Sequence, residues 1–273
     1  MSFFMRDFYP HPSPSPNGRR SSHYKLFAVI NLVLEVPSPL RRGLGRGKYL
    51  IFKILNIQSI QTLHTKNKMT IKKVSSITKL EDLGRIQLSK SFFMRDFLYS
   101  EIANWYGVPN FPNHPDIAIR MGSKLCEELL EPLQEKFGRI AIRSAYRSPS
   151  VNQIGNEKGH NCASNEKNFA SHIWDYPDAK GYGATACIII PSLIDLIEKD
   201  PNNWKQIAYW IHNHLPYSHL EFFKKENTFC AFNIGWHEKP LKEINSYVTG
   251  SKGKLKVTHE PNLDYEKFYP DLL

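Results

Sequence analysis

The chain changes character near residue 87, and this change restricts which part of it can fold. Residues 1–86 hold 15 of the 36 Lys and Arg residues but only four of the 26 Asp and Glu residues, a net charge of +11. The rest holds 21 basic and 22 acidic residues and is almost neutral. Pro-, Ser-, Gly- and Arg-rich stretches at 10–22 and 37–48 cannot bury a core. We therefore predict a mostly disordered basic extension over 1–86 and a folded domain over 87–273.

One heptapeptide occurs in both parts of the sequence. The string SFFMRDF occurs at Ser2–Phe8 and again at Ser91–Phe97. Seven identical residues, three of them Phe, indicate a partial duplication. One additional copy does not predict a repeat fold. An alternative interpretation, which stays open, is that the reading frame has been extended upstream and that the true start is Met69.

Composition and charge narrow the function classes. Because the domain is almost neutral, it offers no electrostatic sign of a nucleic-acid partner, although the basic extension could serve as an RNA- or membrane-binding arm. The longest apolar run, Leu26–Leu34, is too short for a membrane span and lacks a cleavage site after it. Four widely spaced cysteines fit a reducing compartment. We expect no membrane partner, a cytoplasmic location by default and a monomer.

Hydrophobic periodicity predicts an α+β domain. Apolar residues recur every four positions over 116–137, which is typical of a long amphipathic helix. The continuous apolar run at 184–190 predicts a buried strand. The remaining predicted elements are an amphipathic helix over 93–106, a strand at 140–142, helices at 192–199 and 203–214, and a hairpin formed by 220–223 and 228–234.

Polar residues able to do chemistry concentrate in four short strings. They are RSAYRSP at 143–149 with Asn152 beyond it, SHIWD at 171–175 with Asp178, GYGATAC at 181–187, and YSHLE at 217–221. The first follows a predicted strand, where an arginine fork can hold a carboxylate. The last places His219 and Glu221 two residues apart on a strand, so both can share one face.

These strings form a pattern that resembles the zinc D-alanyl-D-alanine carboxypeptidases of the hedgehog/DD-peptidase fold. In chain order, the matching strings are SAYRSPSVN, SH, GATACIIIP and SHLE. The resemblance covers about residues 90–240. It implies an antiparallel sheet with helices on one side. It also implies a substrate-binding arginine at Arg147, with Ser144, Tyr146 and Asn152 beside it, and zinc ligands at His172 and His219.

The sequence departs from the family at the middle ligand and at the general base. The family has an aspartate seven residues after the first histidine, where this chain has Ala179. Asp178 lies one residue earlier, and alignment on the apolar strand instead selects Cys187, which is also a competent zinc ligand. Glu221 is the candidate general base.

The resemblance thus implies a zinc metallopeptidase that hydrolyses cell-wall peptides ending in D-Ala-D-Ala. In such enzymes the metal lowers the pKa of a bound water, and a carboxylate accepts its proton. The alternative is an inactive, metal-free member of the same fold that binds a peptide or glycan. Fold analogy alone does not separate an enzyme from a binding domain.

Overall fold

A computed structural model describes residues 74–223, 230–248, 253–255 and 264–272. The chain divides into two units between Lys68 and Met69. The expected extension therefore lies almost wholly outside the described residues. The described domain begins before residue 87, because a short helix at Ile77–Gly84 (α1) contributes the buried Leu83 to the same core as the rest.

Six strands form one mixed sheet in the described part of the chain, with the spatial order β1-β2-β4-β3-β5-β6. Neighbouring strands run antiparallel except β3 and β5, which run parallel. The prediction of an antiparallel sheet is wrong at this pair, because the chain turns back after β4 and pairs with the free edge of β3. The strands are Ala141–Ser144 (β1), Gly183–Ile189 (β2), His219–Phe222 (β3), Phe232–His237 (β4), Glu243–Ser246 (β5) and Gly253–Lys254 (β6).

The helix predicted over 116–137 is present, with one local widening. It runs as α3 (Pro115–Leu125), a π-helical turn at Cys126–Leu130 and α4 (Glu131–Phe137), and it ends at Gly138, whose φ of +83° suits glycine. The other helices are Glu101–Tyr106 (α2), Pro149–Glu157 (α5), Asn165–Asn168 (α6), Ile194–Lys199 (α7) and Trp204–His214 (α8).

The amphipathic helix predicted over 93–106 is wrong in its first half. Residues Met94–Phe97 form a 3₁₀ turn, and α2 begins only after Ser100, whose Oγ accepts a hydrogen bond from Ala103 N. The second SFFMRDF copy buries Phe92, Met94 and Phe97 while Phe93 is exposed. Met94 and Phe97 are three residues apart, which matches the three-residue period of a 3₁₀ turn and not the 3.6-residue period of an α-helix.

The two faces of the sheet differ in chemistry. One face is apolar and belongs to the core together with side chains of α3 and α8; its members are Ala184, Ala186, Ile188, Leu220, Phe222, Phe232, Ile234 and Ile244. Because side chains alternate along a strand, the intervening residues point to the other face. That face carries the polar side chains. No helix within the described residues is long and apolar enough to cross a membrane.

Candidate functional site

Three residues of the predicted site lie on the polar face of the sheet, in two neighbouring rows of side chains. The first row joins Thr185 on β2, Gly235 on β4 and His219 on β3. The second row joins Cys187, Asn233 and Glu221 in the same strand order. Strand pairing thus brings His219, Cys187 and Glu221 to one surface, although more than 30 residues separate Cys187 from the other two.

His219 lies flat against the backbone of the strand beside it. A Cβ added at Gly235 would overlap the imidazole ring, so only glycine fits opposite this histidine. The ring Nε2 lies 3.2 Å from the Oγ1 of Thr185, which in turn accepts a hydrogen bond from the Ser171 hydroxyl. Burial lowers the pKa of His219 to about 4, the charge of His237 acts in the same direction, and Glu243 opposes both. His219 is therefore neutral at pH 7.

His172 is positioned by the loop that continues beside β2 where β1 turns away. Past a register shift in β1, the Thr185 backbone N–H donates a hydrogen bond to the Ser171 carbonyl. The segment around Ser171 therefore takes the place of β1 at the edge of β2. The His172 Nδ1 donates to the Ala145 carbonyl at 2.8 Å, which leaves Nε2 as the unprotonated nitrogen. Burial lowers the pKa of His172 well below its usual value, and the charges of Arg147 and His219 add to this.

Arg147 brings a positive charge to this region without a matching carboxylate. Its backbone N–H donates to the His172 carbonyl at 2.8 Å, and its Nη1 donates to the Cys162 sulfur at 2.7 Å. Its Nε is buried and has no hydrogen-bond partner. No Asp or Glu of the described residues forms an ion pair with it. Burial lowers the pKa of Arg147, and the sulfurs of Cys162 and Cys187 partly offset that effect.

Cys187 is a buried thiol beside a second guanidinium. Its sulfur lies 3.9 Å from the Nη1 of the exposed Arg143. Burial raises the pKa of Cys187, and this effect outweighs the opposing charges of Arg143 and Arg147. Cys187 is therefore a neutral thiol at pH 7 and would have to lose its proton to ligate zinc.

Asp178 belongs to a different cluster. Its Oδ1 accepts hydrogen bonds from the backbone N–H groups of Lys180 at 2.7 Å and Gly181 at 3.0 Å, and from the His237 Nε2 at 3.3 Å. Burial alone would raise the pKa of Asp178, but these hydrogen bonds and the charge of His237 lower it overall. Asp178 thus ties its own loop to the end of β4 and does not join His172.

The other predicted substrate residues have structural partners. Tyr146 is fully buried and donates its hydroxyl to Asp175 at 3.1 Å, while its ring packs edge-on against Trp174. Asn152 is also fully buried and donates to the Ala163 carbonyl and the Asn165 side chain. Their side chains hold the loops around Arg147, the Asn152 Oδ1 is buried without a hydrogen-bond partner, and their role in substrate binding stays a prediction.

The two remaining predicted residues, Ser144 and Glu221, lie on β1 and β3. Ser144 is half-buried and pairs with Cys187 at the end of β1. Glu221 is half-buried, and its Oε2 accepts a hydrogen bond from the Asn233 side-chain amide at 3.0 Å. Glu221 shares the face of His219, as its spacing predicts.

Nowhere in the described part of the chain do three His, Cys, Asp or Glu side chains form a group that could hold a metal ion. The reasons are local, because the Cys187 thiol faces a guanidinium and Asp178 is held by His237. The described residues therefore do not fit the three-ligand zinc site that the resemblance implies.

Sequence reasoning missed two contributors to the site. Thr185 lies two residues before Cys187 in a predicted strand, so period-two alternation could have placed it on the same face. Cys162 has no such signal: it lies 15 residues after Arg147, and only the fold of the loop after α5 brings the two together.

Comparison with known proteins found no match among protein families, curated proteins or solved structures. The resemblance to the DD-peptidases therefore rests on the quoted motifs alone.

Proposed function

We propose that the polar face binds a ligand through its carboxylate group, and that Arg147 supplies the positive charge. The observation that carries this proposal is the guanidinium itself, which has a buried, unpartnered Nε and no carboxylate partner among the described residues. Burying a charge without a counter-charge costs free energy, and an external anion would offset that cost.

The neighbours of Arg147 favour an anion over a cation. His172 and His219 are neutral at pH 7, so they can accept or donate single hydrogen bonds without adding negative charge. Arg143 lies next to Cys187 and adds a second, exposed guanidinium. The guanidinium fork matches the two oxygens of a carboxylate in spacing and plane.

The ligand class comes from the resemblance. The motif around Arg147 is that of a family which holds the terminal carboxylate of D-Ala-D-Ala peptides, so we propose a cell-wall peptide terminus as the ligand. In this proposal the domain binds the peptide as a metal-free relative and does not cleave it. The zinc peptidase stays a prediction, and the absence of a three-ligand group in the described residues argues against it.

Calorimetric titration of the full chain with an N-acylated peptide ending in D-Ala-D-Ala tests the proposal. The same peptide with a C-terminal amide is the matched ligand control, because it lacks only the charge. Arg147→Gln should weaken binding by about 10- to 100-fold, since a hydrogen bond to a charged group contributes roughly 1.5–3 kcal/mol. Arg139→Gln, at an exposed position, should leave the affinity unchanged. Equal affinity for acid and amide would contradict the proposal.

Metal content separates the binding domain from the peptidase. Mass spectrometry on zinc-supplemented full chain should find no stoichiometric metal. About one zinc per chain, lost in His172→Ala, would instead support the catalytic type of site.

A further inference from the structure

The closest partner of the Arg147 guanidinium is a cysteine. The Cys162 sulfur accepts a hydrogen bond from Nη1 at 2.7 Å and donates its own proton toward the His160 carbonyl at 3.6 Å. The sulfur also packs against Gly155, where an added Cβ would lie 2.6 Å from it. Cys162 is therefore fixed against α5 on one side and against the guanidinium on the other.

Cys162 is buried, but its neighbours along the chain are exposed to solvent. Its side chain is 8% exposed, but it lies in a loop whose residues 158–161 and 163 are all exposed. The guanidinium it touches still has a buried donor without a partner at Nε. An oxygen added to this sulfur would therefore lie next to a guanidinium that has no carboxylate partner among the described residues.

We propose that Cys162 is an oxidation site, and that its oxidised form occupies Arg147 in place of the ligand carboxylate. The oxidant is a peroxide such as hydrogen peroxide. In the first step the O–O bond breaks and an S–O bond forms, so the thiol becomes a sulfenic acid and the peroxide is reduced to water. A second peroxide converts the sulfenic acid to a sulfinic acid, again with release of one water.

The sulfinic acid loses its proton to solvent and becomes a sulfinate with two oxygens that share one negative charge. This group resembles a carboxylate in sharing one negative charge between two oxygens, although its sulfur is pyramidal, so it can accept paired hydrogen bonds from a guanidinium. Modification of Cys162 thus converts an anion-binding site into an internal ion pair. The consequence for ligand binding rests on the proposed function, whereas the oxidation itself does not.

Peptide-resolved mass spectrometry after peroxide treatment of the full chain tests the oxidation. Cys126 is the internal control, because it is fully buried and the charge of Glu131 disfavours a negative sulfur there. We expect Cys162 to gain oxygen about 10-fold faster than Cys126, and this advantage to fall about 10-fold in Arg147→Gln, since a nearby cation favours sulfur oxidation. Arg139→Gln should behave as wild type. An unchanged or faster rate in Arg147→Gln would overturn the proposal.

A pair of substitutions tests the ion pair without any oxidant. Cys162→Asp places a carboxylate next to Arg147, and Cys162→Asn is its neutral match in size. The Asp variant should unfold at a temperature ~3 °C higher than the Asn variant, as about 1 kcal/mol does in a chain of this size. The difference should vanish in an Arg147→Gln background. An Asp variant that is no more stable than the Asn variant would contradict the pairing.

The effect on ligand binding is measured last, with the acid peptide. Oxidised wild type should bind about 10-fold more weakly or worse, and peroxide should not change binding by Cys162→Ser. Retained binding after complete Cys162 oxidation would refute the displacement. If the untreated chain does not bind the peptide, the proposed function fails. The oxidation rates and the Asp/Asn comparison would then still decide whether Cys162 is the modification site.

Discussion

Two clusters of charged and polar side chains on the polar face of the sheet differ in how completely they are paired. Around His237, the Nε2 donates to Asp178 at 3.3 Å and the Nδ1 accepts from the Lys239 backbone N–H at 2.8 Å. Asp178 accepts two further backbone hydrogen bonds from its own loop. Charge and hydrogen bonds are satisfied within the chain, which is typical of a structural contact.

The cluster around Arg147 is incomplete by comparison. The guanidinium has a sulfur and no carboxylate partner among the described residues, one of its donors is buried without a partner, and His172 beside it is held neutral. The comparison shows that the contact between His237 and Asp178, although it joins two ionisable groups, is weaker evidence of a functional site than the guanidinium of Arg147. The missing counter-charge, and not the number of ionisable groups, is the observation on which the proposed ligand site rests.

The largest expected effect comes from filling the space that His219 occupies. Gly235→Ala places a methyl group inside the imidazole ring, so the ring must leave Thr185 or the strands must separate. We expect a loss of about 3 kcal/mol in the free energy of unfolding, at the upper end for overpacking. Urea denaturation measures it. Gly253→Ala, where the nearest heavy atom would be 3.8 Å from the added Cβ, is the control and should change little.

A second prediction tests whether His219 is neutral by measuring the free energy of unfolding at different pH values. Because burial lowers its pKa to about 4 in the folded chain, the unfolded chain takes up a proton first as the pH falls below about 6.5. Its contribution to stability is therefore complete above pH 6.5 and is lost progressively down to about pH 4.

The loss should reach about 2–3 kcal/mol, since one pKa unit corresponds to roughly 1.4 kcal/mol. Urea denaturation at pH 7 and pH 4.5, with His219→Gln beside wild type, isolates this residue from His172, whose pKa is lowered in the same direction. The wild type should lose more stability than the variant over this range. Parallel losses in both proteins would contradict a buried, neutral His219.

The difference between the clusters also explains what sequence reasoning could and could not find. Periodicity predicted the helix over 116–137, which buries one regular stripe of apolar residues, and the continuous apolar run at 184–190 predicted β2, which is buried on both faces. It also placed His219 and Glu221 on one face. Spacing could not show that Asp178 is already engaged by His237, because that contact depends on a loop with no regular pattern. The parallel pairing of β5 with β3 depends on a chain reversal that local sequence does not encode.

A third prediction sharpens the claim that Arg147 lacks a partner. Arg147→Met keeps most of the side-chain volume and removes the charge, so it should leave the free energy of unfolding unchanged or raise it by about 1 kcal/mol. The same variant should lose binding of the acid peptide. Thermal and urea unfolding measure the first effect. A loss of stability above about 1 kcal/mol would instead show that the guanidinium serves the fold, as a well-paired buried charge does.

The smallest effect is expected at Asp178, and its sign is opposite to that at Arg147. Asp178→Asn removes the negative charge that accepts the His237 Nε2 hydrogen bond but keeps an oxygen for the Lys180 and Gly181 backbone N–H groups. Because the Asp178 side chain is 37% exposed, solvent screens the pair, and the loss should be about 0.5 kcal/mol at pH 7. The lowered pKa of Asp178 means that this contribution is present above about pH 4 and disappears as the carboxylate is protonated below it. Peptide affinity should not change, since the carboxylate already has its partners within the chain. A variant that weakened peptide binding tenfold would place Asp178 at the ligand and remove the distinction between the two clusters.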